Sequence, residues 1–218
     1  MTAPRTRRRS KLAPDPDVRR TIVAAAAEAL REQGVRGLSV AAVLDRADLS
    51  TRAFYRHFES KDHVVAAVFL EIAQAEKRRL QRRMAKAADP VEAVAAWIDG
   101  RLDLAFDENI KSDLRRMSLE AQSQIFAAPQ LIQPAFEEML TPLVEELSRG
   151  LSSGVFYDID PVSEAQSIQG VVWARTERHW AAGDRARAEV RSRTLRFCLR
   201  GLGVKAATID EIAARDRL

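Results

Sequence analysis

The fold class predicted for this chain of 218 residues is all-α, and three observations carry the prediction. Glycine and proline are sparse, at nine and eight residues, and alanine, leucine, arginine and glutamate fill the intervals between them. That is a helical composition. Apolar residues recur at spacings of three and four, as on one face of a helix, and no stretch alternates apolar with polar residues as a half-buried strand does. Hydrophobic residues make up 46% of the chain, enough to exclude the apolar-poor composition of disorder. The most apolar runs, TIVAAAAEAL and VVAAVFL, fall well short of the roughly 18 to 20 residues that span a bilayer. A Pro-Asp stretch rather than an apolar core follows the basic N-terminus, so the chain reads as cytoplasmic, with neither a signal peptide nor a membrane anchor.

Residues 1–14 form a basic arm with Arg5, Arg7, Arg8, Arg9 and Lys11. Asp15 or Asp17 then caps a helix with apolar positions Val18, Ile22, Ala25, Ala26, Ala29 and Leu30, and Gly34 ends it. Ser39 caps a short helix that stops at Asp48. A third begins after Ser50, covers TRAFYRHF and ends near Glu59 and Ser60. Two short helices joined by about three residues have the lengths of a helix-turn-helix. A long helix follows from Lys61 to about Ala87, and further helices are expected at 91–106, 111–126, 134–152, 162–182 and 185–202, with Gly183 and Gly203 as stops. The stretch GLSSGVFYDIDP reads as a loop. The domain division expected from this pattern is 15–60, then 61–204, then a C-terminal tail at 205–218.

Charge is unevenly spread. Residues 1–60 hold 12 Lys/Arg against 7 Asp/Glu, and the remainder 23 against 24, so the positive excess lies at the front, where an acidic polymer could be met. The single cysteine, Cys198, excludes an intramolecular disulfide and multi-cysteine metal sites, and lies among Leu195, Leu199 and Leu202 as packing. His57, His63 and His179 lack metal-ligand spacing, and no metal or other cofactor is expected. Gly150-Leu151-Ser152-Ser153-Gly154 matches the GxSxG string of serine hydrolases. That mechanism needs a strand before the serine and a helix after it, whereas here a helix precedes and a loop follows.

The segment from Ser39 to Val65 resembles the DNA-binding segment of the tetracycline-repressor (TetR) family of bacterial transcription regulators. Its strongest part is Phe54-Tyr55-Arg56-His57-Phe58 with Ser60-Lys61, and Ala47, Leu49 and Ser50 match the family's turn. Asp48 stands where the family usually has glycine, and Arg52 replaces a common glycine. The resemblance implies an N-terminal three-helix DNA-binding domain and a C-terminal helical bundle for regulation and dimerisation. It implies a homodimer that binds a palindromic double-stranded operator and represses transcription until a small-molecule effector enters the bundle.

Chemistry assigns the residues. Ser39, Ser50, Tyr55, His57 and Lys61 can donate to phosphates, as can the arginines of the arm. Arg52 can read guanine, and Thr51 or Phe54 can meet a thymine methyl. Candidate ligand residues are Trp97, Arg101, Phe106, Met117, Phe126, Phe136, Met139 and Trp173, with Arg101 available for an acidic group. The last two long helices are the expected dimerisation pair, with a seam of Val162, Ala165, Val172, Thr176 and Trp180 on one and Leu195, Cys198, Leu199 and Leu202 on the other. No catalytic set is recognisable, so an enzyme is not expected; a helical-bundle enzyme or a structural adaptor is the alternative.

Overall fold

The computed structural model describes residues 15–107, 112–182 and 186–215, and every regular element among them is a helix. In order these are α1 (Pro16–Gly37), α2 (Val40–Ala47), α3 (Thr51–Tyr55), α4 (Lys61–Met84), α5 (Pro90–Phe106), α6 (Ser112–Ala127), α7 (Pro129–Ser152), α8 (Pro161–Ala182), α9 (Arg187–Gly201) and α10 (Ala206–Ala214). Two compact units result, and the division falls inside α4, between Val68 and Phe69. The expected division at residue 60 differs because Val64, Val65 and Val68 are buried and α4 is one unbroken helix.

Local chemistry sets most of the boundaries. Asp15 accepts from the Asp17 N–H at 2.9 Å with Pro16 as the first helical residue, and Asp89 accepts from the Glu92 N–H at 2.8 Å ahead of Pro90. Gly34, at φ 70°, interrupts α1 as expected, and the chain is gathered into one further turn before Leu38. Helix α7 begins at Pro129 rather than at residue 134 and carries Pro134 inside it. Each proline removes one backbone donor, but Leu131 and Ile132 are buried on the first turn, and that burial holds the helix together through the missing bond. The expected tail contains α10, whose Ile209 and Ile212 are buried.

Helix α5 is the axis of the second unit: 14 of its 17 residues are buried. Helices α6, α7, α8 and α9 all pack against it. At Gly100 it approaches α4 closely, since a Cβ there would stand 2.7 Å from Leu80 Cδ2. Arg79 of α4 donates to the Gly100 carbonyl at 2.6 Å. Two residues carry most of the polar locking. Asp99 of α5 receives Arg191 of α9 in a bidentate pair at 2.7 and 3.1 Å, both side chains being buried. The same guanidinium donates to the carbonyls of Ile212 and Ala213 in the last turn of α10, which have no partner within their own helix.

The GxSxG string has a packing explanation. Gly150 lies against the ring of buried Phe156, and any side chain there would overlap it. Ser152 donates its hydroxyl to the Ser148 carbonyl at 2.9 Å, inside its own helix.

Removing one member of a buried ion pair leaves the other charged and unmet. Asp99→Ala is therefore expected to destabilise the protein by about 3 to 5 kcal/mol. Asp210→Ala, which opens the exposed Arg196–Asp210 pair, should cost less than about 1 kcal/mol. Urea unfolding of both variants measures the contrast, and equal effects would contradict it.

Candidate functional site

The first unit is a helix-turn-helix built from its caps outward. Ser39 Oγ accepts from the Ala42 N–H at 3.1 Å and Ser50 Oγ from the Ala53 N–H at 3.3 Å, so each serine starts the helix that follows it. Between α2 and α3, Asp48 adopts the left-handed conformation at φ 52° and ψ 48°. The expected turn is thus made without glycine, by one of the few side chains that tolerate it. The Leu49 N–H closes the end of α2 by donating to the Leu44 carbonyl at 3.2 Å. Arg46 ties α2 to α1 through Glu32 at 2.6 Å and Glu28 at 3.7 Å.

Spacing decides which face of α3 is outward. Phe54 and Phe58, four residues apart, are buried with ring centroids 5.8 Å apart, and Arg19 lies 5.0 Å over the Phe58 ring. Phe54 was expected to reach a base; it is fully buried and belongs to the core, as the four-residue interval already indicates. Thr51, Arg52 and Tyr55 are exposed. The helix ends at Tyr55, earlier than the expected Phe58, and His57 follows in a turn, half-buried, with its Nδ1 unpartnered. Lys61, the first residue of α4, donates from Nζ to the Val35 carbonyl at 3.3 Å. An ammonium has two further donors. Arg5, Arg7, Arg8 and Arg9 lie outside the described residues.

Residues 22–68 match the family model described as bacterial regulatory proteins, tetR family. The match places the N-terminal helices, not the whole chain, within that family's pattern. Helices α2 and α3 both lie inside the matched residues. Solved structures of similar fold extend over nearly the whole chain. RolR in complex with resorcinol has 22% identity and a TM-score of 0.63, covering 91% of this chain and 94% of that one. The fatty acid degradation regulator FadR from Bacillus halodurans has 20% identity and a TM-score of 0.63, covering 88% and 98%. FadR from Bacillus subtilis in complex with stearoyl-CoA has 18% identity and a TM-score of 0.60, covering 89% and 97%. No curated protein matches the chain.

The second unit carries a half-open cavity of two chambers, about 370 Å³ and about 70 Å³, that share Gln122, Ile132, Phe136, Gln169 and Trp173 as walls. Of the expected ligand residues, Arg101, Met117, Phe136, Met139 and Trp173 line it. Trp97 is wholly buried elsewhere in the core, and Phe106 stacks on His179 at 3.9 Å. The side chain of Phe126 lies outside the described residues. Sequence reasoning passed over Gln169 and Glu76, although Gln169 falls within the buried stripe of α8 that includes Ala165, Val172 and Thr176.

Arg101, expected to be available for an acidic group, is buried and donates to Glu76 Oε1 at 2.9 Å. Burial alone would raise the Glu76 carboxyl. The hydrogen bonds from Arg79 at 2.8 Å, with the charges of Arg101 and Arg79, outweigh it and hold the group below the usual carboxylate range. Among the described residues no group of His, Cys, Asp or Glu is arranged to hold a metal ion, and no helix is long and apolar enough to cross a membrane.

The expected seam residues divide. Ala165, Val172, Thr176, Leu195, Cys198, Leu199 and Leu202 are buried by their own chain, Trp180 is half-buried, and Val162 is exposed. Burial pushes the Cys198 thiol up to about 12 against the opposing charge of Arg175. On the outside of α9, Phe197 is 61% exposed among Arg175, Arg193, Arg196, Arg200 and Gly201.

A carboxyl held low by its partners stabilises the fold at neutral pH, and that stabilisation disappears as the pH falls through its folded-state value. Glu76→Gln is expected to cost roughly 3 kcal/mol at pH 7 and to make stability less steep in acid. Denaturant titrations at a series of pH values test this, and an unchanged acid slope would remove Glu76 from the acid response.

Proposed function

We propose that the protein is a homodimeric transcriptional repressor that binds a palindromic DNA operator and is released from it by a small molecule entering the C-terminal bundle. The observation that carries this reading is the outward face of α3, where Thr51, Arg52 and Tyr55 stand exposed over a core of Phe54 and Phe58. Short helices of this kind present a few side chains to the major groove, so one copy reads few bases and a two-fold pair reads a symmetric site. Ser39, Ser50, Tyr55, His57, Lys61 and the arginines of the arm serve as phosphate donors, while Arg52 and Thr51 face base edges.

The seam between copies is assigned to the outward faces of α8 and α9, around Phe197 and Gly201 with Val162 and Trp180. The inner residues of the expected seam support these helices from beneath. An exposed phenylalanine beside a glycine with open space above its Cα suits burial against a second copy. The cavity between the helices of the second unit, with the resorcinol and stearoyl-CoA complexes of similar folds, supports effector binding. Release follows when the effector binds the DNA-incompetent conformation more tightly, and DNA must then weaken the effector by the same factor.

Selection from random duplexes should return a motif with dyad symmetry whose affinity falls by orders of magnitude from low to moderate salt. Tyr55→Phe and Lys61→Ala should weaken all duplexes alike, and Arg52→Ala should change preference at one base pair by about 1 to 3 kcal/mol. An asymmetric or absent motif would overturn the proposal. Phe197→Lys should give a folded monomer with reduced operator affinity, because it adds a further positive charge among Arg175, Arg193, Arg196 and Arg200 that the seam would bury without a partner. Sedimentation of a variant that remains dimeric would move the seam elsewhere.

A further inference from the structure

We infer that the cavity is built for an uncharged molecule of about bicyclic size that carries a hydroxyl or similar hydrogen-bonding group, and that Gln169 is the residue that recognises that group. The inference deepens the effector reading above and rests on it for biological meaning, but not for the chemistry of binding.

Size comes first. A cavity of about 150 Å³ lined by apolar side chains accommodates benzene, so about 370 Å³ takes a body roughly twice as large. Ile125, Ile132, Phe136, Leu140 and Trp173 offer that body an apolar wall.

Polarity comes next. Gln169 lines both chambers, is 6% exposed, and its buried Oε1 has no hydrogen-bond partner. A buried amide oxygen left unmet costs free energy that a donor on the ligand recovers. Since amide oxygen and nitrogen exchange places by rotation, a hydroxyl, which both donates and accepts, satisfies either orientation.

Charge excludes the remaining classes. The obvious receptor for an acid is Arg101, yet its guanidinium already meets Glu76 at 2.9 Å, and Glu76 also lines the smaller chamber. A carboxylate entering there competes with Glu76 for the arginine and stands beside a buried charge of its own sign. An ammonium meets the reverse difficulty, since Glu76 is already claimed by Arg79 and Arg101. The buried charge in these walls, Glu76 with Arg101, is balanced, while Glu137 is exposed and already accepts from Gln133 at 2.9 Å, and a neutral ligand leaves the buried pair undisturbed.

The test uses the full chain at neutral pH and four probes on one skeleton: naphthol, methylnaphthalene, naphthoate and naphthylmethylammonium, followed by calorimetry and by quenching of tryptophan fluorescence. Naphthol should bind about tenfold more tightly than methylnaphthalene and by a larger margin than either ion. Gln169→Leu and Gln169→Met, checked for unchanged thermal unfolding, should abolish the preference for naphthol over methylnaphthalene. Gly170→Leu should weaken every probe, because Gly170 lines the larger chamber and a Cβ there meets nothing within 4 Å. Tightest binding by naphthoate or the ammonium, a naphthol preference that survives in both Gln169 variants, or no binding by any probe would overturn the inference. Naphthol bound through Gln169 without any change in operator affinity would uphold the ligand class and overturn the effector reading instead.

Discussion

The second unit depends on one charge pair that water does not reach. Asp99 and Arg191 are removed almost entirely from solvent, and either one alone would be a buried charge without a partner. Because the pair is bidentate, it fixes the orientation of α9 on α5 as well as its distance. The remaining donors of the same guanidinium close the end of α10, so three helices are registered by one side chain. An apolar contact would supply similar burial without specifying register.

The next residues of α5 extend this logic toward the cavity. Gly100 brings α4 close enough for Arg79 to reach the α5 backbone, and Arg101 turns its charge on Glu76 rather than on the cavity space. One helical turn further on, Asp103 gathers Arg83 and Arg187, the latter at 2.7 Å. Three consecutive residues thus provide a lock, a close approach and a neutralised cavity wall. Their order along the helix follows from the hundred-degree step between neighbours, which sends Asp99 and Arg101 to different helices.

The helix-turn-helix was legible because its signals are local. Ser39 and Ser50 are caps, Asp48 is a tolerated left-handed residue, and Phe54 with Phe58 is a four-residue apolar step; each acts within a few residues of itself. Phe54 sits near a helix start, where a side chain can reach DNA, and four residues before Phe58, where it packs, and the four-residue step decides for the core. The bundle was legible only in its periodicity. Nothing near Arg101 announces Glu76, which is 25 residues away, and nothing near Asp99 announces Arg191, which is 92 away. The inner faces of α8 and α9 are likewise covered by their own chain, which the sequence does not reveal, since a short amphipathic stripe states that one face is covered but not by which chain. Helix α7 was trimmed at Pro134 because propensity penalises proline inside a helix, whereas burial of Leu131 and Ile132 overrides that penalty.

The burial of Cys198 has a practical side. With its thiol pushed up to about 12 and the side chain covered, almost no thiolate exists at neutral pH to meet an alkylating reagent. As the chain has no other cysteine, the native sequence already serves as a background free of reactive thiols. A cysteine introduced at exposed Arg52 or Phe197 can carry a fluorophore or spin label without prior mutation of the core, and distances between labelled copies can be followed in the otherwise unaltered protein.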